Sequence, residues 1–190
     1  MTDERWRLFV AVPIGEELRK ALSKTVEGWR TDDALAGLRW TDPAGWHVTL
    51  AFLGPTEAAQ ASDLADRLAN VAEHHEPIAS KTGGLGAFPT LVHARVAWYG
   101  VEDAEGRMGR LAADVSAALG LDAPRPLRPH LTLARVRRQP VDLRSWLASA
   151  SAPEGMLTTD RIALMRSHTG PGPARYETLR SIKLGVRAGV

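Results

Sequence analysis

Hydrophobic and polar positions change period several times along the chain, and each change marks an element. Arg7–Val12 (RLFVAV) is a short β-rich apolar run, which predicts a buried strand stopped by Pro13. From Gly15 to about Arg30, Leu18, Leu22, Val26 and Trp29 recur at helical spacing. Glu16 and Glu17 stand in the first turn, where the helix dipole favours them. Leu64, Leu68 and Val71 predict the inner face of a second helix, with Thr56 as its N-cap and an end near His74–His75. His93–Val101 reads as a strand, Met108–Leu119 as a third helix stopped by Gly120, and Val141–Ala148 as a short helix. Arg161–Ser167 and Tyr176–Gly185 read as two strands around the turn-rich HTGPGPA. Strand, helix, strand recurs twice, followed by extra strands, and no linker or low-complexity stretch intervenes. The pattern predicts an α+β fold of two lobes in one domain spanning residues 1–190.

Composition narrows the chemistry. The chain has 190 residues, 44% of them hydrophobic, enough for a real core. It has no cysteine, which excludes disulfides and cysteine-based metal or thiol chemistry. No apolar run is long enough to cross a bilayer, and MTDERWRLFVAV does not resemble a cleaved signal, so a cytoplasmic location is expected. The net charge is only +2, but 20 of the 24 basic residues are arginine. Arginine suits bidentate phosphate contact and stacking on bases, although a codon bias towards Arg and Ala would give the same composition. The basic clusters are short, as at Arg135–Arg138, and do not imply strong duplex binding. The Gly-rich TGGLGAFP has neither the spacing of a dinucleotide fingerprint nor the lysine of a P-loop.

Against this background one pattern recurs. WHVTLAFLG (46–54) and PHLTLARVR (129–137) both contain His-x-Thr-Leu-Ala, and their histidines stand 83 positions apart (130 − 47). On a strand, residues two apart share a face. His47 therefore projects with Thr49, and His130 with Thr132, while Val48, Leu50, Leu131 and Leu133 point into apolar packing. If the lobes face each other, two imidazoles and two hydroxyls line one cleft. That set suits phosphoryl transfer to water: one neutral imidazole takes a proton, one protonated imidazole gives one to the leaving oxygen, and the hydroxyls hold the non-bridging oxygens. No metal or other cofactor is required. Neither motif carries a nearby Asp or Glu or the spacing of a helical metal pair, and no Gly-x-Ser-x-Gly elbow is present.

With these motifs the chain resembles the 2H phosphoesterases, named for two His-x-Thr motifs, and among them the RNA 2′,3′-cyclic phosphodiesterases, also called 2′-5′ RNA ligases. RLFVAVPIGEELRKAL resembles that family's opening strand and helix, and WTDPAGWHVTLAFLG its first motif region. LGAFPTLVHARVAWYGV resembles its middle strands, RPLRPHLTLAR its second motif, and IALMRSHTGPGPARYETL its closing hairpin. The resemblance implies two pseudo-symmetric lobes, each an antiparallel sheet with helices outside, around a central cleft, with motifs at 47–50 and 130–133. It implies hydrolysis of an RNA or nucleotide 2′,3′-cyclic phosphate to a 2′-phosphate, with 2′-5′ ligation as a related reaction. His47 would be the proton donor, His130 the acceptor, and Thr49 and Thr132 the phosphate ligands. Phe52 and Arg135 match positions near the nucleobase and phosphate. Strict alternation puts both on the face opposite their histidines, so they reach the cleft only if the strands bulge or end first. Trp46 and Leu127 depart from the family pattern, in which a smaller apolar residue and Phe are common.

The other histidines are poorer candidates. His74 and His75 end a helix, His93 is expected to be exposed, and His168 lies near the final turn; Arg166 and Tyr176 could stand at the rim. The expected partners are RNA ends or nucleotides bearing a cyclic phosphate, met by a monomer away from membranes. Two other readings remain: a non-catalytic module that binds nucleotides or RNA ends, and a 2H enzyme for another cyclic phosphate, such as a cyclic ADP-ribose phosphate.

Overall fold

A computed structural model describes residues 4–122, 126–136, 138–168 and 174–185. In chain order its elements are β1 (Arg5–Pro13), α1 (Glu16–Arg30), β2 (Leu38–Trp40), β3 (His47–Glu57), α2 (Ala61–Glu73), β4 (Ile78–Phe88), β5 (Val96–Val101), α3 (Arg107–Ala118), β6 (His130–Val136), α4 (Arg144–Ser149), β7 (Gly155–Thr159), β8 (Arg161–His168) and β9 (Arg175–Lys183). The turn predicted between the last two strands, at 169–173, and Arg137 lie outside the described residues.

All strand pairs are antiparallel, in the order β7-β4-β5-β6-β3-β1-β8-β9, with β2 added to β6. Among the described residues, the two expected lobes are thus halves of one nine-stranded sheet. They meet where β3 pairs with β6 at Val48 and Leu131, so the two His-x-Thr strands are immediate neighbours. β1 lies deep in the sheet, and Leu8–Val12 are all buried. Leu8, Val10 and Val12 join the core with Leu18, Leu22 and Val26 of α1, Leu64 and Leu68 of α2, and Met108, Leu111 and Val115 of α3. Phe9 and Ala11 face the other way, against Ala163 and Met165. This two-sided burial is why the strand reads as an unbroken apolar run. α1 leaves β1 and contacts β7, while α3 leaves β5 and contacts β3, so each half is backed by a helix that departs from the other. The start of α3 is held by Asp103, whose carboxylate accepts the N–H groups of Met108 and Gly109 at 2.9 and 2.8 Å.

Several expectations need correcting. Thr56 is no N-cap: it lies in β3, its hydroxyl donates to Gly54 O at 3.2 Å, and α2 begins only at Ala61 after a 3-10 turn. β5 begins at Val96 rather than His93, which sits exposed in the preceding loop. The Gly-rich segment belongs to β4, where an irregularity between Thr82 and Leu85 accommodates Gly83 and Gly84. The short strands β2 and β7 carry too few alternations to show as periods. Among the described residues no helix is long and apolar enough to cross a membrane.

Candidate active site

Each motif strand carries a β-bulge at the same place. Across β1 and β3, Ala11 pairs with Thr49 but Val10 with Ala51, leaving Leu50 as the extra residue. Across β5 and β6, Trp98 pairs with Thr132 but Ala97 with Ala134, leaving Leu133 extra. In each motif Leu and Ala are therefore buried in succession, and the following side chain turns to the histidine face. Phe52 and Arg135 consequently join His47, Thr49, His130 and Thr132 in the wall of one cavity of about 1040 Å³. Phe52 is 71% exposed and so is not a core residue.

The two histidines are held alike. His47 Nδ1–H donates to Gly45 O at 2.7 Å, and His130 Nδ1–H donates to Arg128 O at 2.7 Å. A carbonyl only accepts, so Nδ1 carries the proton in the neutral ring, and Nε2 has no partner among the described residues in either histidine. Aromatic rings fix the imidazole planes. Phe9 and Tyr176 lie 4.9 and 5.0 Å from His47, and Phe88 and Trp98 lie 5.0 and 6.2 Å from His130. Glycine makes both boxes fit: a Cβ at Gly45 would stand 2.9 Å from Tyr176 Cδ2, and one at Gly86 would clash with the Trp98 ring. The Thr49 and Thr132 hydroxyls have no hydrogen-bond partner among the described residues and are free to donate.

A polar latch closes one side of the site. Thr41 Oγ1 lies 2.7 Å from Thr132 O and 2.9 Å from Leu133 O, and accepts the Trp46 Nε1–H at 2.8 Å. The Thr41 N–H also donates to Leu133 O at 2.8 Å. The buried Trp46 is thus the donor that ties the approach to the first motif to the bulge of the second.

Burial is the main cause that pushes both imidazoles below the ordinary histidine value, because it disfavours the charged ring. The hydrogen bonds to Gly45 O and Arg128 O oppose this. The Arg135 charge lowers both further, and His130 adds its own repulsion on His47. Among the described residues, Arg7, Arg128 and Arg135 line the cavity and no Asp or Glu does. None of the three arginines forms a salt bridge among the described residues. A chain of net charge +2 therefore concentrates uncompensated positive charge at this cleft, which suits an anionic ligand.

Of the other sequence candidates, Tyr176 and Leu127 line the cavity. Arg166 instead pairs with Glu4 at 3.1 Å and covers the Trp6 ring. His168 bonds Glu177 at 2.8 Å. His75 bonds Asp114 at 2.9 Å in the groove between α2 and α3, beside His74. Phe9, Phe88, Trp98, Thr41 and Gly45 carried no sequence signal that separates them from core or turn residues. No three His, Asp or Glu among the described residues converge as metal ligands.

Comparison with known proteins gives consistent matches. The family model described as LigT like phosphoesterase matches residues 12–98 and 100–175. An RNA 2′,3′-cyclic phosphodiesterase of Geobacillus stearothermophilus is 31% identical over 95% of this chain, which spans 58% of that protein's length. One of Archaeoglobus fulgidus is 30% identical over 92% of this chain and 98% of its own. Among solved structures, TT0787 of Thermus thermophilus superposes with a TM-score of 0.75 at 26% identity, covering 94% of this chain and 98% of its own.

Proposed function

The chain belongs to the LigT-like phosphoesterase family, and from that premise we propose that it is an RNA 2′,3′-cyclic 3′-phosphodiesterase that opens cyclic phosphate ends of RNA or nucleotides to 2′-phosphates. The observation that carries this reading is the doubled site: two imidazoles with Nδ1 pinned to a carbonyl and Nε2 free, beside two unpartnered threonine hydroxyls in one cationic cavity. The names of the curated relatives supply the substrate class.

In the proposed reaction the phosphate oxygens accept hydrogen bonds from Thr49 and Thr132. His130 Nε2 takes a proton from water as its oxygen bonds to phosphorus. The P–O3′ bond breaks, and His47 Nε2–H protonates O3′. The product carries a 2′-phosphate, and the two histidines end with their protons exchanged. Each proton transfer is worth about 10²–10⁴ in rate. The assignment of donor to His47 and acceptor to His130 rests on the family resemblance. Burial and mutual repulsion disfavour two charged imidazoles at once, while a bound phosphate anion favours one. The single-proton state that acid–base catalysis needs is thereby favoured, and no metal enters. An RNA 5′-hydroxyl in place of water would give a 2′-5′ linkage by the same steps. Phe52 and Arg135 are read as substrate contacts, the first with a base and the second with a base or phosphate. The reading keeps the sequence expectation of a monomeric, cytoplasmic enzyme built as one bilobal domain.

The test is hydrolysis of a 2′,3′-cyclic mononucleotide with chelator present and the product isomer identified. The parent should form the 2′-phosphate, and His47→Ala and His130→Ala should each lose at least about 10²-fold in turnover. A 3′-phosphate product, or full activity in both variants, would overturn the reading.

A further inference from the structure

Beside the cavity stands an arginine that the proposed reaction does not use. β2 pairs with β6 so that Arg39 lies directly opposite Arg135, between Leu38–Val136 and Trp40–Ala134. Directly opposed residues on antiparallel strands project to the same face. Leu38 and Trp40 pack into the core on the other side, which leaves Arg39 half-buried on the cavity side. Two like charges placed opposite each other in this way repel, and neither guanidinium has a carboxylate partner among the described residues. Of the carboxylates flanking Arg39 in the chain, Asp32 and Asp42 accept the backbone N–H groups of Ala34 and Ala44, each at 2.9 Å, and neither they nor Asp33 form a salt bridge among the described residues. Such a pair is stabilised by an anion that both forks can grip.

We infer that Arg39, seated beside Arg135, forms a second phosphate site that binds the phosphodiester on the 5′ side of the terminal nucleotide, so that the cleft is built for the end of an RNA strand rather than for a lone nucleotide. The inference rests on the cyclic-phosphate reading of the cavity. Its spacing is suitable. Arg135 lies three residues beyond Thr132, at most about 10 Å at a strand's rise per residue. The bulge shortens that path, and the arginine side chains reach back along it. This is the scale of one nucleotide step from the reacting phosphorus. The site also gives a role to the placement of Arg39 opposite Arg135.

The test compares two dinucleotides ending in a 2′,3′-cyclic phosphate, one with an ordinary phosphodiester between its nucleosides and one with a neutral methylphosphonate there. In the parent, kcat/KM should favour the charged linkage by roughly tenfold, as for a charge-assisted contact. Arg39→Gln should reduce that preference to about twofold or less, and Arg39→Lys should restore part of it through charge without the fork. A parent indifferent to the linkage would overturn the inference. So would an Arg39→Gln loss of equal factor on both substrates, because damage to the fold lowers both together. The same cycle run as calorimetric binding of the 2′-phosphate-ended dinucleotides needs no turnover. If the parent turns over neither cyclic substrate, the proposed reaction fails while this binding cycle still decides the Arg39 site.

Discussion

Replacing Thr41 by Val tests whether the latch holds the two halves of the site in register. Valine keeps nearly the same shape and removes one hydroxyl. That hydroxyl has one proton, shared between the carbonyls of Thr132 and Leu133, and one accepted bond from Trp46 Nε1. Leu133 O keeps the Thr41 N–H in the variant, so the carbonyl side loses about one net hydrogen bond, worth about 1 kcal/mol. The indole N–H loses its partner in a residue only 3% exposed, which adds about 1–3 kcal/mol. The expected loss in unfolding free energy is therefore about 2–4 kcal/mol. Urea unfolding measures it, with the midpoint falling and the slope unchanged. Trp46→Phe removes the orphaned donor, so Thr41→Val should cost only about 1 kcal/mol in that background, a coupling of about 1–3 kcal/mol. kcat/KM should fall as well, by up to about 10²-fold, because Thr132 loses the support of its carbonyl. A Thr41→Val protein within about 0.5 kcal/mol of the parent, or a coupling of zero, would refute the latch.

Other outcomes follow from the same geometry. Because kcat/KM reports the free enzyme and both imidazoles titrate below the ordinary value near 6.5, its bell should centre on the acid side of that value and fall as pH rises through it. A centre above neutrality would contradict the burial of the pair. Arg135→Met removes a charge that lowers both histidines, so the whole bell should move to higher pH, read from the same profile. Gly86→Ala drives a methyl group into the Trp98 ring and should cost about 1–3 kcal/mol of stability, measured by thermal unfolding.

Much of the fold could be read from periodicity because its elements bury one face each. α1 and α3 show the helical recurrence of Leu18, Leu22 and Val26, and of Leu111 and Val115, since these residues meet the sheet. β1 shows as a continuous apolar run because both its faces are covered. β4 hid among glycines because Gly83 and Gly84 serve an irregular pairing and Gly86 makes room for Trp98, none of which leaves an alternation. Thr56 looked like a cap because a threonine before an apolar helix usually is one, whereas here β3 runs on through Glu57. The partners that hold His47 could not be inferred, since Gly45 and Tyr176 are 131 positions apart (176 − 45) and only the packing of β9 beside β8 brings them together.

The position of Phe52 and Arg135 turns on a feature that alternation alone argues against. A regular strand puts the residue three after a threonine on the opposite face, which would bury Phe52 and carry Arg135 away from the phosphate. The shared Leu-Ala after each Thr is the sequence trace of the exception, because two apolar residues in succession on a half-buried strand leave one of them nowhere to go unless the strand bulges. Leu50 and Leu133 take that extra place, both residues of each pair are buried, and the next side chain swings to the cavity. The same device works twice but delivers different groups. On β3 it presents an aromatic ring with 71% of its surface exposed, and on β6 an arginine without a carboxylate partner among the described residues. The motif therefore specifies more than the imidazole and hydroxyl: its last two letters reset the face, and the residue after them differs between the halves. The imidazoles and hydroxyls are nearly symmetric, so on the proposed reading it is this residue, with Arg39 opposite Arg135, that makes the two sides of the cleft different for a substrate with two different ends.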